Sequence, residues 1–445
     1  MPAKAPTLRR SLPRHHIVLV PGFAGFDTLG QLEYYAGVTP LFREWQDQGH
    51  PATTLHYFDN FPTAAVITRA DKLKRYLAKR ILRGEIAPGD TLALVGHSTG
   101  GLDIRRLICD LAHDSRPLSF DGTKDPEFTP EKVLAMIRRV VFLSVPQWGT
   151  NIADWVRAQA LGRALVIAEL RAAVQTSQLP LLSVLQESVT DLAATMSQVD
   201  LSYAIQDALA EAETRPWRNR TATAMSQEAA SALALWLRYM ATDFSAIDDL
   251  TPQPHNGGPA SPAHFDLKTR EQEKKLWQSA GIRIQSYATI GKRPFPFSED
   301  AAAPAWNVLN PCTYPECSKD SRMAARTDIV YRTCYRACAG GPFANPDPKP
   351  AVPQLIEPAK PGRIASWDND GIVNTPSMLW PGGTPTFLVP GDHMDIVGHY
   401  HRVPAPRDTG RKYDAYDLLK SDSGFDDQAF ATVWSHVFDF CAKNP

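Results

Sequence analysis

The stretch Thr91-Leu92-Ala93-Leu94-Val95-Gly96-His97-Ser98-Thr99-Gly100-Gly101 decides the fold. Thr91–Val95 is an apolar run of strand length and Thr99–Ala112 has a helical pattern, so Gly96-His97-Ser98-Thr99-Gly100 falls on the turn between them. A bare G-x-S-x-G arises by chance about 0.1 times in such a chain at average Gly and Ser usage, so the context carries the weight. A nucleophile on a sharp strand-to-helix turn needs small residues two before and two after it, where neighbouring chains pass close by. Gly96 and Gly100 supply these. Ser98 is then expected above the sheet, over a helix N-terminus whose N–H groups and positive dipole end suit an oxyanion.

Working outward, His16–Val20 is a short apolar run ending in Pro21-Gly22, Leu41–Gln46 suggests a helix, and Ala52–Tyr57 is rich in β-formers. Thr68–Arg83 reads as a helix with Leu73, Tyr76, Leu77 and Ile81 on one face. Lys72, Lys74, Arg75, Lys79 and Arg80 read as its solvated face rather than as an anionic docking patch. Arg139–Ser144 is another buried strand. Short apolar strands alternating with helices imply an α/β fold, a mostly parallel sheet with helices on both faces. Residues 1–150 form the first half of that core, carrying the turn at Ser98.

Beyond Thr150 the strand signal fades. Leu181, Leu185, Val189, Leu192, Met196 and Val199, and then Leu233, Trp236, Leu237 and Met240, follow helical spacing. A helical insertion over 151–280 is expected to act as a lid, because long insertions in such sheets sit at the strands' C-terminal edge. Residues 281–445 complete the core: Arg283–Ile290 and Thr386–Val389 are strands, and Phe430, Val433, Trp434, Val437, Phe438 and Cys441 line a closing helix. Gly291–Pro361, rich in Pro, Ala and Cys, reads as an irregular excursion.

Of the 445 residues, 43% are hydrophobic and 21% charged, ample for a large core. Lys+Arg (47) and Asp+Glu (48) nearly cancel, which argues against nucleic acid as a partner. No apolar run is long enough to span a bilayer. No apolar signal region follows the basic first residues, so the chain as written reads as cytoplasmic, or as secreted if a signal has been removed. Cys312, Cys317, Cys334 and Cys338, spaced C-x4-C-x16-C-x3-C, are expected to form two disulfides in that second case. A zinc site and free thiols are the alternatives. Cys109 and Cys441 read as isolated core residues.

A serine hydroxyl is a weak nucleophile and needs a base, oriented in turn by a third group. In the order Ser, acid, His, the chain offers Asp370 within Trp367–Asn374 and His393 within Gly391–Asp395. One loop and one strand separate them, which brings two neighbouring strand ends together. His399 and His401 rival His393, and Asp368 rivals Asp370. His15 and His16 precede the first strand, His97 lies inside the turn and His436 in the last helix. The loop Pro21-Gly22-Phe23-Ala24-Gly25 is expected to give one oxyanion donor, the N–H of Phe23, and Thr99 N–H the other.

These residues carry a resemblance to the α/β-hydrolases, and specifically to the bacterial true lipases of Pseudomonas, Burkholderia and thermophilic Bacillus. Ile17–Phe23 resembles their strand and oxyanion loop, Val95–Gly101 their VGHSxGG turn, Asn369–Thr375 the segment of their acid, and His393-Met394-Asp395 that of their base. Val145–Thr150 is similar to their TPHRGS strand end. The likeness covers about half of the chain. It implies a lipase or esterase acting on esters with an apolar acyl chain, with polyester cleavage and acyl transfer as alternatives. A lipid or polymer interface is the expected setting, and no cofactor is required. Phe26, Trp148 and Met394 are its pocket candidates. Two departures stand out: Pro21 replaces the usual His of the oxyanion loop, and Gln147-Trp148 the usual His-Arg. Asp395 matches a position that helps bind structural calcium in some of these lipases. No second ligand is identified, and a plain hydrogen-bonding role is the stronger expectation for it.

Overall fold

The computed structural model describes residues 14–23, 25, 28–29, 32–87, 89–114, 119–120, 123–124, 129–153, 245–251, 267–292, 357–359, 364, 368–380, 386–400, 419, 421 and 423–443. Most of the expected lid, the four clustered cysteines, Phe26 and His401 lie outside the described residues.

The elements in chain order are β1 (His15–Val20), α1 (Val38–Asp47), β2 (Thr53–Tyr57), α2 (Val66–Leu82), β3 (Thr91–His97), α3 (Thr99–His113), α4 (Pro130–Met136) and β4 (Ile137–Leu143). After the insertion come α5 (Leu267–Ser279), β5 (Arg283–Ile290), β6 (Glu357–Pro358), β7 (Thr386–Pro390) and α6 (Asp427–Ala442). Seven strands form one sheet in the order β6-β7-β5-β4-β3-β1-β2. All pairings are parallel except β6 with β7. The two-residue β6 lies within the stretch read as irregular. Its pairing comes from Glu357 and Pro358 meeting Leu388 and Phe387, a contact that local periodicity does not announce.

Side-chain alternation along the strands makes two apolar layers. Val18 and Val20 of β1, Leu92 and Leu94 of β3, and Val140 and Phe142 of β4 pack with Leu73, Leu77 and Ile81 of α2 and Leu107, Ile108 and Leu111 of α3. The alternate residues Ile17, Leu19, Ala93, Val95, Val141 and Leu143 pack with Val38, Phe42 and Trp45 of α1 and Val433, Trp434, Val437 and Phe438 of α6. Trp45 Nε1 also donates to Asp439 Oδ1 (2.9 Å), tying α1 to α6 across 394 residues of sequence. The strand order reverses at β1, which has β2 on one side and β3 on the other. In open parallel sheets the crevice at such a reversal, beyond the strands' C-terminal ends, is where ligands bind. The sheet order, the two helix layers and the sharp turn after β3 are those of an α/β-hydrolase fold.

Four basic residues of α2 are engaged in ion pairs, Lys72 with Asp59, Lys74 with Asp114, Arg75 with Asp71 and Arg80 with Glu85, in keeping with a solvated face. Strand β1 starts at His15, so His15 and His16 belong to it rather than preceding it, and both are buried. Cys109 and Cys441 are free thiols. Burial pushes the Cys109 thiol up to about 12.

Candidate active site

Ser98 directly follows β3 with φ 52° and ψ −132°, a conformation seldom adopted by residues with a side chain. Its backbone N–H donates to Leu143 O (2.9 Å), and α3 begins at the next residue. The glycines are dictated by space. A Cβ on Gly96 would stand 2.6 Å from Gly101 N, and one on Gly100 would stand 2.3 Å from Val20 O. The turn therefore closes only with hydrogen at both positions.

The loop after β1 comes close to the serine. A Cβ on Gly22 would lie 2.5 Å from Ser98 Cβ. The carbonyls of this loop are drawn to one side by Arg69, whose Nη2 donates to Pro21 O (2.9 Å) and Gly22 O (3.0 Å). Arg69 is fully buried and pairs with the equally buried Asp103 at 2.9 Å, so the guanidinium is neutralised and anchored. Phe23 is half-buried against the layer that contains α2 and α3.

His393 follows β7, and its Nδ1–H donates to Asp370 Oδ2 at 2.7 Å. A second link joins the two segments, since His393 N–H donates to Asp370 O (3.0 Å). The acid is saturated. Its Oδ1 accepts from Ile372 N (3.0 Å) and Val373 N (2.7 Å), and its Oδ2 also accepts from Thr289 Oγ1 (2.5 Å). Among the described residues nothing hydrogen-bonds His393 Nε2. None of these bonds joins Ser98 Oγ to that nitrogen, and catalytic contacts of this kind often tighten only with substrate bound.

His97, the residue between Gly96 and Ser98, links the two halves. Its Nε2–H donates to His393 O (2.9 Å), which leaves Nδ1 as the acceptor for the Tyr34 hydroxyl (2.6 Å). Tyr34 Oη in turn accepts Gly22 N–H (2.9 Å). The His97 ring lies 4.7 Å from that of His393. Burial holds His97 well below the usual histidine range, with the neighbouring His393 acting in the same sense. It is therefore a neutral connector and not a base.

The rivals sort by their bonds. His399 Nε2 is spent on Tyr34 O (3.0 Å). Asp368 is buried and its carbonyl accepts from Thr375 N (2.8 Å), whereas the carboxylate that meets His393 is Asp370. Asp395 Oδ2 accepts from Asp392 N (2.8 Å) and Ser423 Oγ (2.7 Å). Among the described residues no group of three His, Cys, Asp or Glu side chains could hold a metal ion. Trp148 is buried, its backbone N–H donating to Ser377 Oγ (3.1 Å), and Met394 packs against the layer that contains α1 and α6. Sequence reasoning missed Tyr34, Arg69 and Thr289 and gave His97 no role. A tyrosine three residues before Gly37, and an arginine at the helical spacing of the apolar positions Val66 and Leu73 of α2, were the signals present.

No protein-family model matches the sequence, and no curated protein matches it. Among solved structures, the chain is similar to EstA from Clostridium botulinum at 17% identity and a TM-score of 0.40, over 96% of this chain and 89% of that one. It is similar to lipase 1 from Pelosinus fermentans at 17% identity and a TM-score of 0.36, over 96% and 98%. For the Bacillus licheniformis lipase BlEst2 in its mature form the values are 12% and 0.36, over 89% and 90%. Likenesses this distant carry no functional argument, and the reading below rests on the geometry. No described helix is long and apolar enough to cross a membrane.

Proposed function

We propose that this protein is a serine carboxylic ester hydrolase acting on esters with an apolar acyl chain. One observation carries the reading: His393 is held on Asp370 through Nδ1, with no described residue bonded to its Nε2, at the C-terminal end of the strands where Ser98 sits in a strained turn. In this reading His393 Nε2 takes the Ser98 proton as Oγ attacks the ester carbonyl. The N–H groups of Phe23 and Thr99 hold the tetrahedral oxyanion. His393 then returns the proton to the departing alcohol, leaving Ser98 acylated, and water cleaves the acyl-enzyme by the reverse roles. Asp370 fixes the imidazole tautomer and offsets the imidazolium charge. The chemistry asks for no cofactor.

The test is a panel of p-nitrophenyl esters of graded acyl length with tributyrin beside them. Turnover abolished in Ser98→Ala, with release of free acid, is the expected result. Absence of turnover by the wild-type chain on every ester would overturn the reading. Residues 151–280 enter the same proposal as a helical cover over the acyl site. Polar substitution of the Leu181–Met196 face should then lower turnover of long acyl chains more than that of butyrate.

A further inference from the structure

Two described residues other than glycine hold a positive φ: Ser98 at 52° and Ser144 at 51°. They directly follow neighbouring strands, β3 and β4. The strain at Ser98 presents a hydroxyl to the crevice. Ser144 is fully buried and needs a different explanation.

Its hydroxyl lies 2.8 Å from Thr289 Oγ1, which lies 2.5 Å from Asp370 Oδ2. The proton positions follow from valence. An ionised carboxylate only accepts, so the single Thr289 proton points at Asp370, and Thr289 Oγ1 must accept from Ser144 Oγ–H. The result is a one-way chain, Ser144 to Thr289 to Asp370, ending on the oxygen that also receives His393 Nδ1–H. Glycine would hold the Ser144 backbone without strain but would supply no donor.

We infer that Ser144 and Thr289 are positioning residues for the acid. They hold Asp370 Oδ2 against His393 Nδ1 and share its negative charge. This rests on the ester-hydrolase reading only for its kinetic consequence, because the hydrogen-bonded chain itself can be probed without substrate.

The test follows the downfield proton resonance of His393 Nδ1–H, assigned by its disappearance in Asp370→Asn. Thr289→Val keeps the shape of the side chain and removes the donor. The resonance should move further downfield or be lost, and kcat should fall about tenfold with KM unchanged, the scale of one lost hydrogen bond to a charged group. Thr289→Ser should restore both. Ser144→Gly should disturb the resonance in the same sense, more weakly, while leaving the protein at least as heat-stable as wild type. A purely structural role would instead couple any change to lost stability. An unchanged resonance in Thr289→Val, or equal disturbance in Thr289→Ser, overturns the inference for Thr289, and an unchanged resonance in Ser144→Gly overturns it for Ser144. A wild-type chain inert toward all esters would sink the proposed function and leave this measurement decisive.

Discussion

Among the described residues, two buried histidine–aspartate pairs stand at opposite ends of the sheet. At the C-terminal ends of the strands His393 Nδ1 meets Asp370 at 2.7 Å. Toward the N-terminal ends His16 Nε2 meets Asp90 at 3.0 Å. Both histidines are almost wholly inaccessible, and both aspartates accept further backbone N–H bonds. The difference is in the second ring nitrogen. His16 Nδ1 is taken by His56 Nε2 at 2.9 Å, and Asp90 is shared with Arg14. A His–Asp contact is thus not in itself a catalytic device. It becomes a candidate when the other nitrogen is left open beside a nucleophile, and it is a structural clamp when that nitrogen is spent.

The comparison can be broken most directly at the nucleophile. Ser98→Ala should lower kcat on p-nitrophenyl butyrate by about 10⁴-fold or more while the melting temperature stays unchanged, because triad members act as a unit. Equal loss of activity in His16→Ala at full folding would erase the distinction between the two ends. Gly22→Ala comes next. Its Cβ would press on Ser98 Cβ, which the strained turn holds in place, and a displacement approaching 1 Å there should cost roughly hundredfold in kcat/KM. For the lower pair the sign reverses between stability and activity. His16→Ala should destabilise the fold by about 2 kcal/mol through the unpaired Asp90 and His56, read by urea unfolding, and leave turnover per folded molecule intact.

A pH experiment sharpens the contrast further. Burial, with His16 and Arg80 adding to it, lowers His56 from 6.5 to about 4, and burial lowers His16 in the same direction against the opposing pull of Asp90. The unfolded chain therefore takes up these protons before the folded one does. The contribution of His56 to stability is complete above pH 6.5 and declines as the pH falls toward 4, by about 1.4 kcal/mol per pH unit, with His16 acting in the same sense. Urea midpoints measured across that window should show the decline, and His56→Gln, which keeps an N–H donor to His16, should flatten it. An unaltered slope in that variant would mean the clamp is not the acid-sensitive element. The smallest effect is expected from chelation. With Asp395 committed to Asp392 N and Ser423, EDTA should change neither turnover nor melting temperature, and a fall of several degrees would restore calcium as a ligand.

Much of the upper site was legible in the sequence because it is written in local patterns. The strand, the two glycines and the start of the helix around Ser98 sit within the eleven residues Thr91–Gly101. The spacing from Asp370 to His393 spans one strand. What was not legible depends on residues that meet only in three dimensions. Tyr34 acts by reaching His97, Thr289 by standing one strand away from Ser144, and Arg69 by collecting the carbonyls of Pro21 and Gly22. None of these changes the periodicity of its own element. Ser144 is harder still, since its left-handed backbone carries no glycine to advertise it. In the lower cluster His16 alternates in register within an apolar strand, and its partner His56 lies on the neighbouring strand. That pairing follows only from the parallel register of β1 with β2.

The bond from His97 to the carbonyl of His393 spans 296 residues of chain. At about 5–20 residues per second on the ribosome, roughly 15–60 s pass between the emergence of the two. Throughout that interval the nascent protein holds Ser98 and the loop at Gly22 but no base, and α1 has no α6 to cover it. The face that Trp45 and Phe42 present to Phe438 is then bare apolar surface. The enzyme as proposed can become active only after residue 393 has been made, some 296 residues after the turn it completes.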